Sequence, residues 1–166
     1  KKSALYGYTE DVVLKNNPED FVYYVPKTVE YSTTYYDYIL QDGKIVGANA
    51  PYNADFFIKF SDGNGMAYCT FMGGDAKIVK VSTNAGTGRK LAIFKDSYGN
   101  ALPPYLMGSF DEIVVIDMRY FTHNAVDYLK ENGITDVLFA NNAFHAATAS
   151  TVTHYSNFLT QADWGY

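Results

Sequence analysis

The chain is poor in cysteine, histidine and tryptophan, with one, three and one among its 166 residues. A single cysteine, Cys69, excludes an internal disulfide and a cysteine zinc site. The histidines, His123, His145 and His154, show no close metal-ligand spacing and read as surface or packing residues. No metal or other cofactor is expected. No apolar run approaches the ~20 residues that cross a bilayer, so no transmembrane helix is expected. The 13 basic residues are scattered among 18 acidic ones, for a net charge of −5. That excludes a basic stripe for nucleic acid and a polybasic membrane patch. Lys1-Lys2-Ser3-Ala4 leads straight into Tyr-rich sequence without a secretory signal pattern, and the chain reads as a piece of a longer protein.

Aromatic residues are plentiful: 16 tyrosines and 11 phenylalanines. Tyrosine suits half-buried strands, wet clefts and sugar-binding surfaces. With 48% apolar residues, the chain is expected to form a single α/β domain spanning 1–166. Residues 1–87 read as a β-rich portion. Phe21 to Val25 is a strand candidate ending at Pro26. Asp42-Gly43 separates Tyr38-Ile39-Leu40 from Lys44-Ile45-Val46 as a hairpin signal. Asp62-Gly63-Asn64-Gly65 is a loop, and Lys77 to Val81 a strand. Asn84 to Lys90 has the glycines of a phosphate loop but opens a strand, so it reads as a hairpin turn.

Residues 88–166 read as βαβαβ with a carboxyl-terminal helix. Lys90–Lys95, Glu112–Asp117 and Thr135–Ala140 are near-continuous apolar runs, as in parallel strands covered on both faces. Pro103-Pro104 should distort any helix over Ser97–Met107. His123–Asn132 predicts a helix stopped at Gly133, and Ala143–Leu159 another, weakened by its β-branched threonines.

Ligands of such sheets bind outside the carboxyl ends of the strands. If the three strands are neighbours in one sheet, three ends converge: Asp96-Ser97, Asp117-Met118-Arg119 and Asn141-Asn142. A serine at a helix amino end, with a cation and a side-chain amide nearby, is a plausible oxyanion-stabilising group. The plainer readings are a helix cap at Asp96-Ser97, an exposed Asp117–Arg119 ion pair, and a capping turn at Asn141-Asn142. An aspartyl-phosphate role for Asp96 is disfavoured, because Tyr98 stands where a second carboxylate would be needed.

Phe94-Lys95-Asp96-Ser97-Tyr98-Gly99-Asn100-Ala101-Leu102-Pro103-Pro104-Tyr105-Leu106 and Phe110-Asp111-Glu112-Ile113-Val114-Val115-Ile116-Asp117-Met118-Arg119-Tyr120-Phe121 resemble the carboxyl half of bacterial DHHW proteins. That family is similar to the SGNH hydrolase-like domains of alginate O-acetylation proteins. Tyr68 to Asp75 resembles its aromatic-rich segment ending in Gly-Gly-Asn, with Asp75 in place of the Asn. The likeness is good over about 60–145. It implies an SGNH/flavodoxin-like, parallel, three-layer α/β fold with Ser97 as nucleophile. Arg119 and Asn141 or Asn142 would bind oxyanion or substrate.

The family's Asp and His partners precede the serine in an Asp-(X)-His-Trp type motif, and no histidine precedes Ser97 here. The base is therefore expected outside this chain, unless His145 substitutes; the chain alone is expected to be inactive. The resemblance implies an extracytoplasmic or cell-surface serine esterase or O-acyltransferase acting on an acylated polysaccharide or cell-wall glycan. The alternative is a non-catalytic carbohydrate- or protein-binding module that retains the fold.

Overall fold

Six strands form one mixed sheet in the computed structural model, which describes residues 12–17, 20–42, 44–59, 67–75 and 78–162. The strands are β1 (Tyr31–Tyr36), β4 (Tyr52–Asn53), β5 (Ile78–Thr83), β6 (Lys90–Lys95), β7 (Glu112–Asp117) and β8 (Asp136–Ala140). Their order is β4-β1-β5-β7-β6-β8. β2 (Tyr38–Gln41) and β3 (Lys44–Ala48) pair separately as a hairpin. The helices are α1 (Val12–Asn16), α2 (Ala125–Glu131), α3 (Ala143–Ala146) and α4 (Ala149–Phe158). Gly43, the 62–65 loop and Lys77 lie outside the described residues.

Alternation along the central strands explains their unbroken apolar runs. Leu91, Ile93, Ile113 and Val115 face one cluster with Phe56, Phe71, Met72 and Met107. Ala92, Phe94, Val114 and Ile116 face the other, closed by Ala125 of α2 and Phe158 of α4. Both faces are buried, so neither needs polar side chains.

The fully parallel expectation holds for only part of the sheet. β7, β6 and β8 are mutually parallel neighbours, whereas β5 is antiparallel to β7 and β1 is antiparallel to β5. The Asn84–Lys90 segment is correspondingly not a hairpin turn. β5 and β6 flank β7 on opposite sides, and the loop crosses its amino end. Asp111 fixes that crossing by accepting from the N–H groups of Thr87 and Gly88 at 2.6 and 2.7 Å. Those amides already hold a carboxylate.

Three further expectations change. Phe21–Val25 is irregular, because β preference is realised only beside a partner strand; Tyr23 instead stacks on Phe57. β8 is an edge strand whose Phe139 is 59% exposed, not covered on both faces. The helix expected over Ala143–Leu159 breaks at Ala147-Thr148. There the Thr148 hydroxyl donates to the His145 carbonyl at 2.9 Å, a local competitor for helical bonding. α2 lies within its expected span, capped by Asn124, and Gly133 follows it at φ +64°.

Candidate active site

Because β7, β6 and β8 run the same way, their carboxyl ends share one rim, with Lys95 level with Asp117 and Ala140. β5 runs oppositely, so Asp75, just before it, arrives at the same rim. Sheet topology therefore gathers residues from four segments.

The turn after β6 is built by Asp96, which is fully buried. Its Oδ1 accepts from the Tyr98 N–H at 2.9 Å and caps a short 3-10 helix, Ser97–Ala101. Its Oδ2 accepts from the Asn142 backbone N–H at 2.8 Å and from Asn142 Nδ2 at 3.0 Å. His145 Nδ1 lies 2.8 Å from the same oxygen. Burial pushes the Asp96 carboxyl up, but these hydrogen bonds outweigh it and hold the group below its usual range. Asp96 thus ties the β6 turn to the β8–α3 turn.

Ser97 follows directly and is half-buried. Its hydroxyl makes no hydrogen bond among the described residues. The Gly99 N–H bonds the Asp96 carbonyl and closes the turn around the serine. Pro103 begins a second 3-10 helix, Pro103–Tyr105, in place of a longer helix. Gly99 is required by packing: an added Cβ would sit 2.6 Å from Lys95 Cβ and 3.3 Å from the Ala140 carbonyl oxygen. Gly99→Ala is expected to cost about 1–3 kcal/mol through overpacking, read as a lowered midpoint in urea unfolding. It should also displace Ser97.

Behind the serine lies a charge network. Lys95 and Asp117 are 1% and 0% exposed and meet at 2.9 Å across neighbouring strands. Arg119 donates from Nε and Nη2 to Asp117 at 2.9 and 2.7 Å, and Nη2 also reaches Asp75 at 2.7 Å. The pair is no exposed loop bridge, since Asp117 is fully buried. Burial alone would raise the Asp117 carboxyl, but bonds from Arg119 and the charge of Lys95 hold it below its usual range. The hydrogen bond to Asp117, ahead of that to Asp75, raises the Arg119 guanidinium still further.

The two asparagines named from sequence reach the rim with their side chains engaged. Asn141 Nδ2 contacts Met118 Sδ at 3.0 Å, and its Oδ1 accepts from the Tyr155 hydroxyl at 2.7 Å. Asn142 Oδ1 caps α3 by accepting from the His145 N–H at 3.0 Å. Asn100 of the serine-bearing helix donates to Asp75 Oδ1 at 3.0 Å, while its own buried Oδ1 has no partner among the described residues. His145 pairs with Asp96 and makes no hydrogen bond to Ser97. Sequence reasoning gave Lys95, Asp75 and Asn100 no role. Lys95 and Asp117 each close a six-residue strand otherwise rich in apolar residues, a signal for charges facing one another. Among the described residues no cluster of three or more His, Cys, Asp or Glu is suited to a metal.

A DHHW family protein from Eubacterium siraeum is 41% identical to this chain over 96% of its residues, with a TM-score of 0.77. This chain belongs to the DHHW family. It spans 50% of the length of that DHHW relative. Bacillus cereus PatB1 is more distant. Solved with a sulfonyl adduct, it is 22% identical over 78% of the chain and 42% of its own, with a TM-score of 0.58. A second PatB1 structure gives 23% identity over 78% of the chain and 41% of its own, at 0.56. These two likenesses show the fold. No family model and no curated protein sequence matches the DHHW chain.

Proposed function

We propose that Ser97 is the nucleophile of an SGNH-type serine esterase or O-acyltransferase that works on an acylated polysaccharide or cell-wall glycan outside the bacterial cytoplasm. The observation that supports this reading is the Ser97 hydroxyl, without a hydrogen-bond partner among the described residues, directly after the buried, helix-capping Asp96 at the carboxyl rim of three parallel strands. Helix amino ends at such rims favour developing negative charge. The flavodoxin-like, layered SGNH architecture belongs to the same proposal.

In the reaction, Ser97 Oγ attacks the acyl carbonyl and its proton passes to a base. The Ser97 N–H donates to the oxyanion. The ester C–O bond then breaks, the departing glycan oxygen takes the proton, and water or a second hydroxyl releases the acyl group. The amides of Asn141 and Asn142 hold the wall of the site. Arg119 is a positioning residue that couples Asp75 to the end of β7. We place the base in the portion of the protein outside this chain, because His145, held by Asp96 through Nδ1, makes no hydrogen bond to Ser97.

Turnover of an O-acetylated glycan by the full-length protein tests the reading. Ser97→Ala is expected to lower kcat by at least about 10³-fold. Undiminished turnover would remove Ser97 from the chemistry.

A further inference from the structure

Two clefts lie beside the β2–β3 hairpin, and the Arg119–Asp75 ion pair links them. One cleft, about 470 Å³, is lined by Tyr35, Asp37, Tyr38, Tyr52, Asp75 and Tyr120, among others. Its described lining residues include no lysine, arginine or histidine. The other contains Lys44 and Arg119, with no carboxylate among its described lining residues. Leu40 and Tyr120 border both.

The acidic cleft has the parts that a pyranose needs. Tyr52 stacks nearly parallel on buried Tyr35, at 5.3 Å and 12°, and remains 45% exposed, so one ring face is supported and the other open. The apolar C–H face of a sugar packs on such a ring, while its hydroxyls require fixed acceptors. Asp37 is fixed by the Tyr52 hydroxyl, which donates to it, and Asn49 adds an amide to the lining. The volume lies in the usual small-molecule range of about 300–1,000 Å³. Asp75 joins the cleft to the serine turn through Asn100.

We propose that this tyrosine-lined cleft is a glycan subsite that takes a neutral or amino-bearing sugar and rejects a uronate. The assignment rests on the glycan reading of the Ser97 rim and specifies its substrate class. Asp75 is already paired with Arg119, so the selecting charge is Asp37, whose partner is the neutral Tyr52 hydroxyl; a uronate carboxylate would meet it as like charge, a strong discriminator.

Calorimetric titration of the full-length Ser97→Ala protein tests this with three tetrasaccharides, of N-acetylglucosamine, glucosamine and galacturonate. The first two are expected to bind, with galacturonate at least about tenfold weaker. Tyr52→Ala should weaken binding about tenfold, whereas Tyr52→Phe, which keeps the ring, should retain most of it. Asp37→Asn should narrow the gap between glucosamine and galacturonate. Equal or tighter galacturonate binding, no binding of any of the three, or an unchanged Tyr52→Ala would overturn the subsite. Such a failure, with Ser97-dependent turnover intact, would leave the nucleophile standing. Binding as expected without Ser97-dependent turnover would instead remove the catalytic reading and leave a sugar-binding module.

Discussion

Lys95→Met is expected to destabilise the protein by about 3–5 kcal/mol. Lys95 and Asp117 are both buried and 2.9 Å apart. Methionine fills much of the lysine volume, so the loss is electrostatic rather than a cavity. Asp117 would keep the partly exposed Arg119 but lose its fully buried cationic partner. The double substitution Lys95→Met with Asp117→Leu should recover part of the loss, because burying two ions is itself expensive. Urea unfolding gives the check: the midpoint should fall in the single variant and rise again in the double. If Lys95→Met left the midpoint unchanged, the network would not support the rim.

Asp96→Ala is expected to cost about 3 kcal/mol and to loosen Ser97 at the same time. It removes a helix cap, worth about 1 kcal/mol. It also leaves the Asn142 N–H and Asn142 Nδ2 without their acceptor, at about 1–3 kcal/mol for each donor that stays buried and dry. The carboxylate has a pH signature as well. Asp96 and Asp117 both have carboxyls lowered by folding. Their stabilisation is therefore fully present above the unfolded carboxyl value of about 3.9 and is lost as pH falls through their lower folded values. The native protein should lose stability progressively below about pH 4, and Asp96→Asn should make that decline shallower. Denaturant unfolding repeated between neutral and acid pH reads the slope. An identical slope in Asp96→Asn would mean that Asp96 ionises alike in both states.

The strands around the rim were legible because burial on two faces writes a continuous apolar run. Lys90–Lys95 and Glu112–Asp117 match their expected limits, and β8 begins one residue later than expected. The strand ends bearing Ser97, Arg119, Asn141 and Asn142 share a rim because β7, β6 and β8 are parallel neighbours, the condition on which their expected convergence rests. What could not be read was which groups those side chains would meet. Asp75 reaches the rim only because β5 is antiparallel, and an apolar run carries no direction. Phe21–Val25 has the composition of a strand without a neighbour to pair with. His145 pairs with Asp96 from far along the chain, and the break before α4 comes where the Thr148 hydroxyl bonds the His145 carbonyl. Local rules located the elements; contacts distant in sequence decided the chemistry around them.

The most direct test of Ser97 as nucleophile is covalent labelling of the full-length protein with a sulfonyl fluoride, followed by peptide mapping by mass spectrometry. The adduct is expected on the peptide containing Ser97, at one per chain, and should disappear in Ser97→Ala. No adduct on that peptide, or labelling that persists in Ser97→Ala, would contradict the account.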